Sequence, residues 1–190
     1  MKLSKEQRTA LHVACEAAEK RTSARIAVVT VPISDRYALY PLVYGGLTAV
    51  TVFAVLALFW HGMPLREAFF ITAVLAAAVT FSLDWMALRL MLVPRHAKNW
   101  ECWELAHRSF ASRILAQNDR KTGIALFVSF GEHYVEVVTD RDVDLHVPQS
   151  TWDAIIKDFT AAAKQGRVGE ALVIAVESCT KVLEQHYPMH

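Results

Sequence analysis

The chain has 190 residues, of which 54% are hydrophobic, and its 20 basic and 19 acidic side chains leave a net charge of +1. Such a composition is too apolar for a disordered protein, and the length is sufficient for one compact domain. Since no dense block of lysines and arginines occurs, nucleic acid is not expected as a partner. The three cysteines are odd in number and far apart, which argues against a disulfide framework and a zinc site.

The first predicted elements are a helix and a strand. Ser4 and Gln7 have the spacing of a capping box, and apolar residues recur at helical intervals as far as about Lys20. The stretch Arg25–Val31 is apolar and β-branched without alternation, as in a parallel strand that is covered on both faces. The sequence therefore opens as an α/β domain.

Two long apolar runs, residues 41–60 and 68–88, occupy the middle of the chain. A hydrocarbon core about 30 Å thick requires roughly 20 apolar residues of helix. The first run has no charged residue, and the second has only Asp84, near one end, where a charge costs far less than at the bilayer centre. The sequence predicts a transmembrane helical hairpin within residues 38–93, with the lipid bilayer as its partner.

The charges around the hairpin predict its orientation. Arg66 is the only basic side chain other than a histidine in the short connection between the runs. The basic residues that flank the runs are Lys20, Arg21, Arg25 and Arg36 before the first and Arg89, Arg95 and Lys98 after the second. Because basic residues concentrate on the cytoplasmic side of membrane proteins, both termini are expected in the cytoplasm.

Small residues within the runs predict close helix packing. Gly45 and Ala49 in the first run, and Ala73 and Ala77 in the second, would let the spans approach each other or another subunit. A membrane-protein partner or self-association through the hairpin is therefore expected. An oligomeric pore is disfavoured, since the spans carry few polar groups to line a path for solute.

The remainder of the chain completes the predicted domain. Periodicity and turn chemistry predict a helix over 99–117, strands over 124–130 and 133–139, an acidic loop over 140–144, and helices from Pro148 to Gly166 and over 168–186. Gly131 and Glu132 predict a two-residue type II′ turn between the strands. We expect a right-handed parallel crossover between the first two strands and an antiparallel third strand.

The predicted fold class is α/β, a small mixed sheet with helices on both faces, interrupted by the two-helix transmembrane hairpin. Residues 1–37 and 94–190 form the two parts of one domain on either side of the hairpin.

Several stretches resemble the TPM domain, a family of bacterial membrane proteins and chloroplast photosystem-repair proteins. The stretches that carry the resemblance are Glu19–Val29, Thr122–Ser129, Glu132–Asp144, Val147–Pro148 and Trp152–Gly169. The resemblance implies an α/β sandwich that is often tethered to a membrane, and for this variant with a hairpin it implies the bacterial inner membrane. In some members it also implies acid-phosphatase activity and binding of a divalent metal.

The sequence departs from the TPM pattern where activity would reside. No acidic residue occurs in residues 1–5, where the family commonly has an Asp-rich segment. Asp140 and Asp142 stand where family members usually carry Gly, and Asp144 stands where they usually carry Glu. These departures argue against transferring the enzymatic activity.

The candidate metal ligands are Asp35, Asp140, Asp142 and Asp144. Hard cations such as calcium and magnesium take several oxygen ligands, which a cluster of carboxylates at a strand end could supply. The alternative is a solvated acidic loop with Arg141 as its counter-ion. No nucleophile elbow or glycine-rich phosphate loop is present, so metal-assisted hydrolysis is the one catalytic route that the sequence leaves open.

Two functional hypotheses follow. The leading one is a non-enzymatic interaction or assembly module, held by the hairpin at the cytoplasmic membrane surface. The alternative is a metal-dependent phosphatase that uses the four aspartates and a divalent cation. No other cofactor is predicted.

Overall fold

The computed structural model describes residues 3–35, 37–60, 62, 64–116 and 122–189. The chain forms two compact units, one from residues 1–34 and 99–190 and the other from residues 35–98. In chain order the elements are α1 (Lys5–Glu19), β1 (Arg25–Val31), α2 (Leu39–Phe59), α3 (Leu65–Leu83), α4 (Met86–Leu92), α5 (Arg95–Phe110), a π-helix (Ala111–Leu115), β2 (Gly123–Ser129), β3 (Tyr134–Thr139), α6 (Arg141–His146), α7 (Gln149–Lys164) and α8 (Val168–His186).

The described residues of the first unit form a mixed three-stranded sheet in the order β1-β2-β3. β1 pairs parallel with β2, from Arg25 opposite Gly123 to Val31 opposite Ser129. β3 returns antiparallel, with Tyr134 opposite Ser129. The predicted mixed sheet, with the apolar hairpin inside the connection between β1 and β2, is confirmed.

The central strand separates two cores, because all seven residues of β2 are buried and alternate between its faces. Leu126 belongs to the core that contains Trp152 of α7 and Leu172 of α8. Phe127 belongs to the core that contains Cys102 of α5. Helices therefore cover both faces of the sheet, as predicted for a strand without alternation.

The first helix begins where the capping box predicts. Gln7 N–H donates to Ser4 Oγ at 3.1 Å, and Ser4 N–H donates to Gln7 Oε1 at 2.9 Å. Gly166 adopts the left-handed conformation (φ 82°) that ends α7, also as predicted.

The turn between β2 and β3 differs from the predicted type II′ turn. Four residues, 130–133, separate the strands, and the positive φ of 54° lies at His133. Gly131 is needed for another reason, because a Cβ there would lie 2.9 Å from the carbonyl oxygen of Pro32. The glycine lets the turn approach the segment that leaves β1.

The predicted acidic loop over 140–144 is wrong, since these residues form the beginning of α6. Asp140 is the N-cap, and its carboxylate accepts from Val143 N–H at 2.8 Å. An acidic N-cap followed by acids in the first turn suits the positive end of the helix dipole. The short helix then ends before Pro148.

Two helix boundaries also differ from the prediction. The second apolar run is interrupted at Asp84 and Trp85, so that α3 ends at Leu83 and α4 follows. The helix expected over 99–117 begins earlier, at Arg95, and continues beyond Phe110 as the π-helix. The end of that prediction, at residue 117, lies outside the described residues.

The second unit contains α2 and α3, which pack against each other. A Cβ at Gly45 would lie 1.9 Å from Thr80 Oγ1 and 3.3 Å from the Ala76 carbonyl oxygen, so the glycine permits this close approach. The prediction for Gly45 is confirmed, whereas Ala73 and Ala77 are exposed on another face of α3.

Candidate functional site

The predicted metal ligands begin with Asp140, whose carboxylate is 9% exposed and holds two parts of the fold together. Oδ2 accepts from Gly123 N–H at 2.7 Å, at the start of β2, while Oδ1 accepts from Val143 N–H at 2.8 Å in α6. Asp140 N–H also donates to the Gly123 carbonyl oxygen at 3.2 Å. Both carboxylate oxygens therefore fix the backbone, which is a structural role.

Asp142 and Asp144 lie in the first turn of α6 and have protein partners. Asp144 accepts a hydrogen bond from Thr139 Oγ1. Asp142 lies 3.9 Å from His146 Nδ1, one helical turn away. Burial, followed by a hydrogen bond to Asp142, raises the pKa of Tyr187. Asp142 therefore contributes to a polar contact between α6 and the end of α8.

Asp35 belongs to the other unit, where Oδ2 accepts from Tyr37 N–H at 3.2 Å in a local turn. That Asp35 shares a metal site with the three aspartates of the first unit stays a prediction. Among the described residues, no group of three or more His, Cys, Asp or Glu side chains is arranged to hold a metal ion. Within α6, the carboxylates of Asp142 and Asp144 are exposed at the surface.

A second polar group lies at the opposite end of the sheet, beyond the carboxyl ends of β1 and β2. It consists of Ser34, Cys102, Ser129 and Glu132, which we call the Glu132 cluster. Ligand sites of parallel α/β folds commonly lie at this edge. The cluster therefore has the position, though not by itself the chemistry, of a functional site.

Glu132 is the centre of this cluster. Oε1 accepts from Ser34 N–H at 2.9 Å and from Ser34 Oγ at 2.6 Å. Oε2 accepts from Ser129 Oγ, whose residue is buried at the last position of β2. The carboxylate thereby ties the turn between β2 and β3 to the segment that leaves β1.

The cysteine of the cluster is not activated as a nucleophile. Cys102 is fully buried on α5, and its Sγ lies 3.2 Å from Ser34 Oγ. Burial raises the pKa of the Cys102 thiol to about 11, although the hydrogen bond with Ser34 opposes the shift. Because the thiolate is the reactive form, a thiol that stays protonated near neutral pH is poorly suited to nucleophilic chemistry.

A half-buried carboxyl on β3 adjoins the cluster. Tyr134 Oη donates to Glu136 Oε2 at 3.0 Å. Burial raises the pKa of Glu136, while the hydrogen bond from Tyr134 and the charge of His107 lower it. This pair and the Glu132 cluster were not identified from the sequence, where the available signal was a serine at the end of an apolar run with a glutamate three positions later.

Two similarities relate the chain to known proteins. The family model described as the TPM domain matches residues 86–182, about half of the chain. The NMR structure of the BA42 protein from the psychrophilic bacterium Bizionia argentinensis is similar, with a TM-score of 0.58 and 16% identity over 100% of this chain and 87% of that one. At this identity the similarity is one of fold. No curated protein sequence matches the chain.

Proposed function

We propose that this chain, which belongs to the TPM-domain family, is anchored in a membrane by α2 and α3 and acts as an interaction or assembly module. The domain would lie at the cytoplasmic surface of the bacterial inner membrane. The proposal has two parts, the anchor and the absence of catalysis, and they depend on different observations.

The observation that carries the anchor is the apolar surface of α2 and α3. Both helices are long and apolar enough to span a membrane. Near their midpoints, Val50 is 69% exposed and Val74 is 65% exposed. Exposed apolar area costs roughly 25 cal/mol per Å² in water, and a bilayer removes this cost. The hairpin is therefore suited to hydrocarbon.

The threonine side chains within these helices also suit hydrocarbon. The hydroxyls of Thr48, Thr51, Thr72 and Thr80 each donate to the carbonyl oxygen four residues earlier, all at 2.8 Å. In the bilayer core, a polar group without a hydrogen-bond partner costs several kcal/mol, on the order of the penalty for burying such a group in any apolar environment. These internal hydrogen bonds meet that requirement.

The contacts of the polar side chains in the first unit support an interaction role over catalysis. Asp140 and Glu132 use both carboxylate oxygens to hold backbone or hydroxyl groups. The Cys102 thiol has a raised pKa because it is buried. Groups of this kind make the domain rigid and leave its surfaces for recognition.

Arginine at the centre of both helices tests the anchor. The native chain is expected in the membrane fraction after alkaline extraction. In the double variant Val50→Arg/Val74→Arg, each charge adds about 2.5–3.5 kcal/mol to the cost of insertion, so the chain should leave that fraction. Val13→Arg is the matched control, since Val13 is 57% exposed on α1 of the other unit. Retention of the double variant in the membrane, or extraction of the native chain, would refute the anchor.

A metal-dependent phosphatase is the second candidate, favoured by the two exposed carboxylates of α6. Phosphatase assays with calcium, magnesium or manganese on the detergent-solubilised chain should show no turnover above that of the Asp142→Asn/Asp144→Asn variant. Asp140 is left intact because it caps α6. Metal-dependent turnover that disappears in this variant would replace the interaction role with the enzymatic one.

A further inference from the structure

The outer edge of β1 has backbone groups that the sheet does not use. Arg25 N–H donates to the Thr122 carbonyl oxygen at 2.9 Å, and Phe130 N–H donates to the Val31 carbonyl oxygen at 3.1 Å, both toward β2. In a parallel pair, alternate residues of a strand bond to the same neighbour. The N–H and C=O groups of Ile26, Val28 and Thr30 therefore point away from the sheet.

A groove of about 830 Å³ follows this edge, and the backbone of β1 lies along it. Leu11 and Cys15 of α1 line one wall, while Ser112 and Arg113 of the π-helix line the other. These walls belong to opposite faces of the sheet, because α1 packs on the core of α7 and α8, and the π-helix packs on the core of α5. The groove therefore has the geometry to receive one more strand.

The groove is also basic. Arg8 on the α1 wall and Arg113 on the π-helix wall are exposed. Within the described parts of the chain, neither guanidinium lies within ion-pair distance of a carboxylate. Arg25 is already paired with Glu19, at 3.9 Å. Two positive charges without a carboxylate partner among the described residues thus line opposite walls of the groove.

We propose that the open edge of β1 binds an extended acidic segment of a partner protein by strand addition. The inference rests on the proposed interaction role and names the surface and the partner chemistry. Main-chain hydrogen bonds to Ile26, Val28 and Thr30 hold the segment. Because successive side chains of a strand point to opposite faces, acidic residues on one face of the segment reach toward Arg8 and those on the other face toward Arg113.

The test uses the full chain in non-ionic detergent and two synthetic octapeptides. The acidic probe is Val-Glu-Asp-Val-Thr-Glu-Asp-Val, and its matched control, Val-Gln-Asn-Val-Thr-Gln-Asn-Val, has every acid replaced by an amide. Affinity is measured by fluorescence anisotropy, and the occupied surface by amide hydrogen exchange. The acidic probe should bind and slow exchange at Ile26, Val28 and Thr30, and binding should weaken as salt is added.

Reversing the charge of the two groove arginines tests whether the acidic peptide binds in the groove. Arg8→Glu/Arg113→Glu should weaken binding of the acidic probe by at least about tenfold, because like charges then face each other. Lys157→Glu is the control, since Lys157 is exposed on α7, which packs on the opposite side of the domain from the π-helix. This control should bind as the native chain does.

Three results would overturn the proposal. The first is no binding of the acidic probe up to about 1 mM, a free energy of about −4 kcal/mol. The second is equal binding of the amide control or slowed exchange at other strands. The third is slowed exchange at β1 by phosphatidylglycerol vesicles and not by the peptide, which would make the groove a lipid surface. Peptide binding is measured without a bilayer, so its failure is distinguishable from failure of the anchor.

Discussion

The two helical hairpins of this protein, α2–α3 and α7–α8, differ in how much of their apolar surface is buried. α8 buries nine of its 19 residues, whereas α2, which has no charged residue, buries only Pro41 and Gly45 among its 21. A helix with one apolar stripe fits against a core, but a helix that is apolar all round requires apolar surroundings. The distribution of apolar residues around a helix, rather than their number, thus distinguishes a helix suited to lipid from one suited to a protein core.

The largest expected difference in the free energy of unfolding is between substitutions of a core residue of α7 and of a surface residue of α2. Trp152 is fully buried, and Leu42 is 65% exposed. Trp152→Ala should lower the free energy of unfolding by about 3–5 kcal/mol, since it leaves a cavity in the core. Leu42→Ala should change it by less than about 0.5 kcal/mol in detergent. Urea unfolding followed by circular dichroism measures both values, and comparable losses would break the contrast.

A smaller effect is expected where the two apolar helices meet. Gly45→Leu would place its Cβ 1.9 Å from Thr80 Oγ1, whereas a Cβ at Gly46 would meet no atom within 4 Å. Gly45→Leu should therefore cost about 1–3 kcal/mol, as overpacking does in cores. Gly46→Leu should be close to neutral. Thermal unfolding of both variants in the same detergent would show this difference, and equal stability would mean that α2 and α3 do not pack through Gly45.

A capping residue of the first unit should have a slightly smaller effect. Asp140→Ala removes the acceptor for both Val143 N–H and Gly123 N–H, for an expected cost of about 1–2 kcal/mol. Asp144→Ala is the control in the same helix, and it loses one exposed hydrogen bond with Thr139. Chemical unfolding that ranks Asp144→Ala as the more damaging change would contradict the structural role of Asp140.

The smallest predicted effect depends on pH. Burial raises the pKa of Glu136, against the hydrogen bond from Tyr134. The folded chain then holds the Glu136 proton more tightly than the unfolded chain, so ionisation of Glu136 weakens the fold as the pH rises from about 4 to 7. Glu136→Gln removes this penalty. Its melting temperature relative to the native chain should rise by a few degrees at most over that range. A relative fall would show that the sign is wrong.

The sequence predicted those parts of the fold that depend on neighbouring residues. The run from Ile124 to Ser129 predicted a strand covered on both faces, and the spacing of Ser4 and Gln7 predicted the cap of α1. The mixed sheet also followed from the order of the elements. The signals for the strand and the cap are each contained within a few residues, and the fold preserves them.

The polar sites were harder to predict, because their partners are remote in sequence. Glu132 contacts Ser34 across 98 positions, and Asp140 reaches Gly123 across 17. Carboxylates at 140–144 therefore predicted an acidic loop, although Asp140 is the cap of a helix and nearly buried. Similarly, the continuous hydrophobicity of residues 68–88 did not reveal the break at Asp84.

Photolabelling from the lipid side tests the membrane anchor most directly. The chain is reconstituted in liposomes that contain a phospholipid with a diazirine on its acyl chain, irradiated, and mapped by mass spectrometry. Carbene attachment should occur on α2 and α3, at exposed side chains such as Val50 and Val74, and not on the apolar stripe of α8. Labelling of α8 at the level of α2, or no label on residues 39–83, would contradict the account.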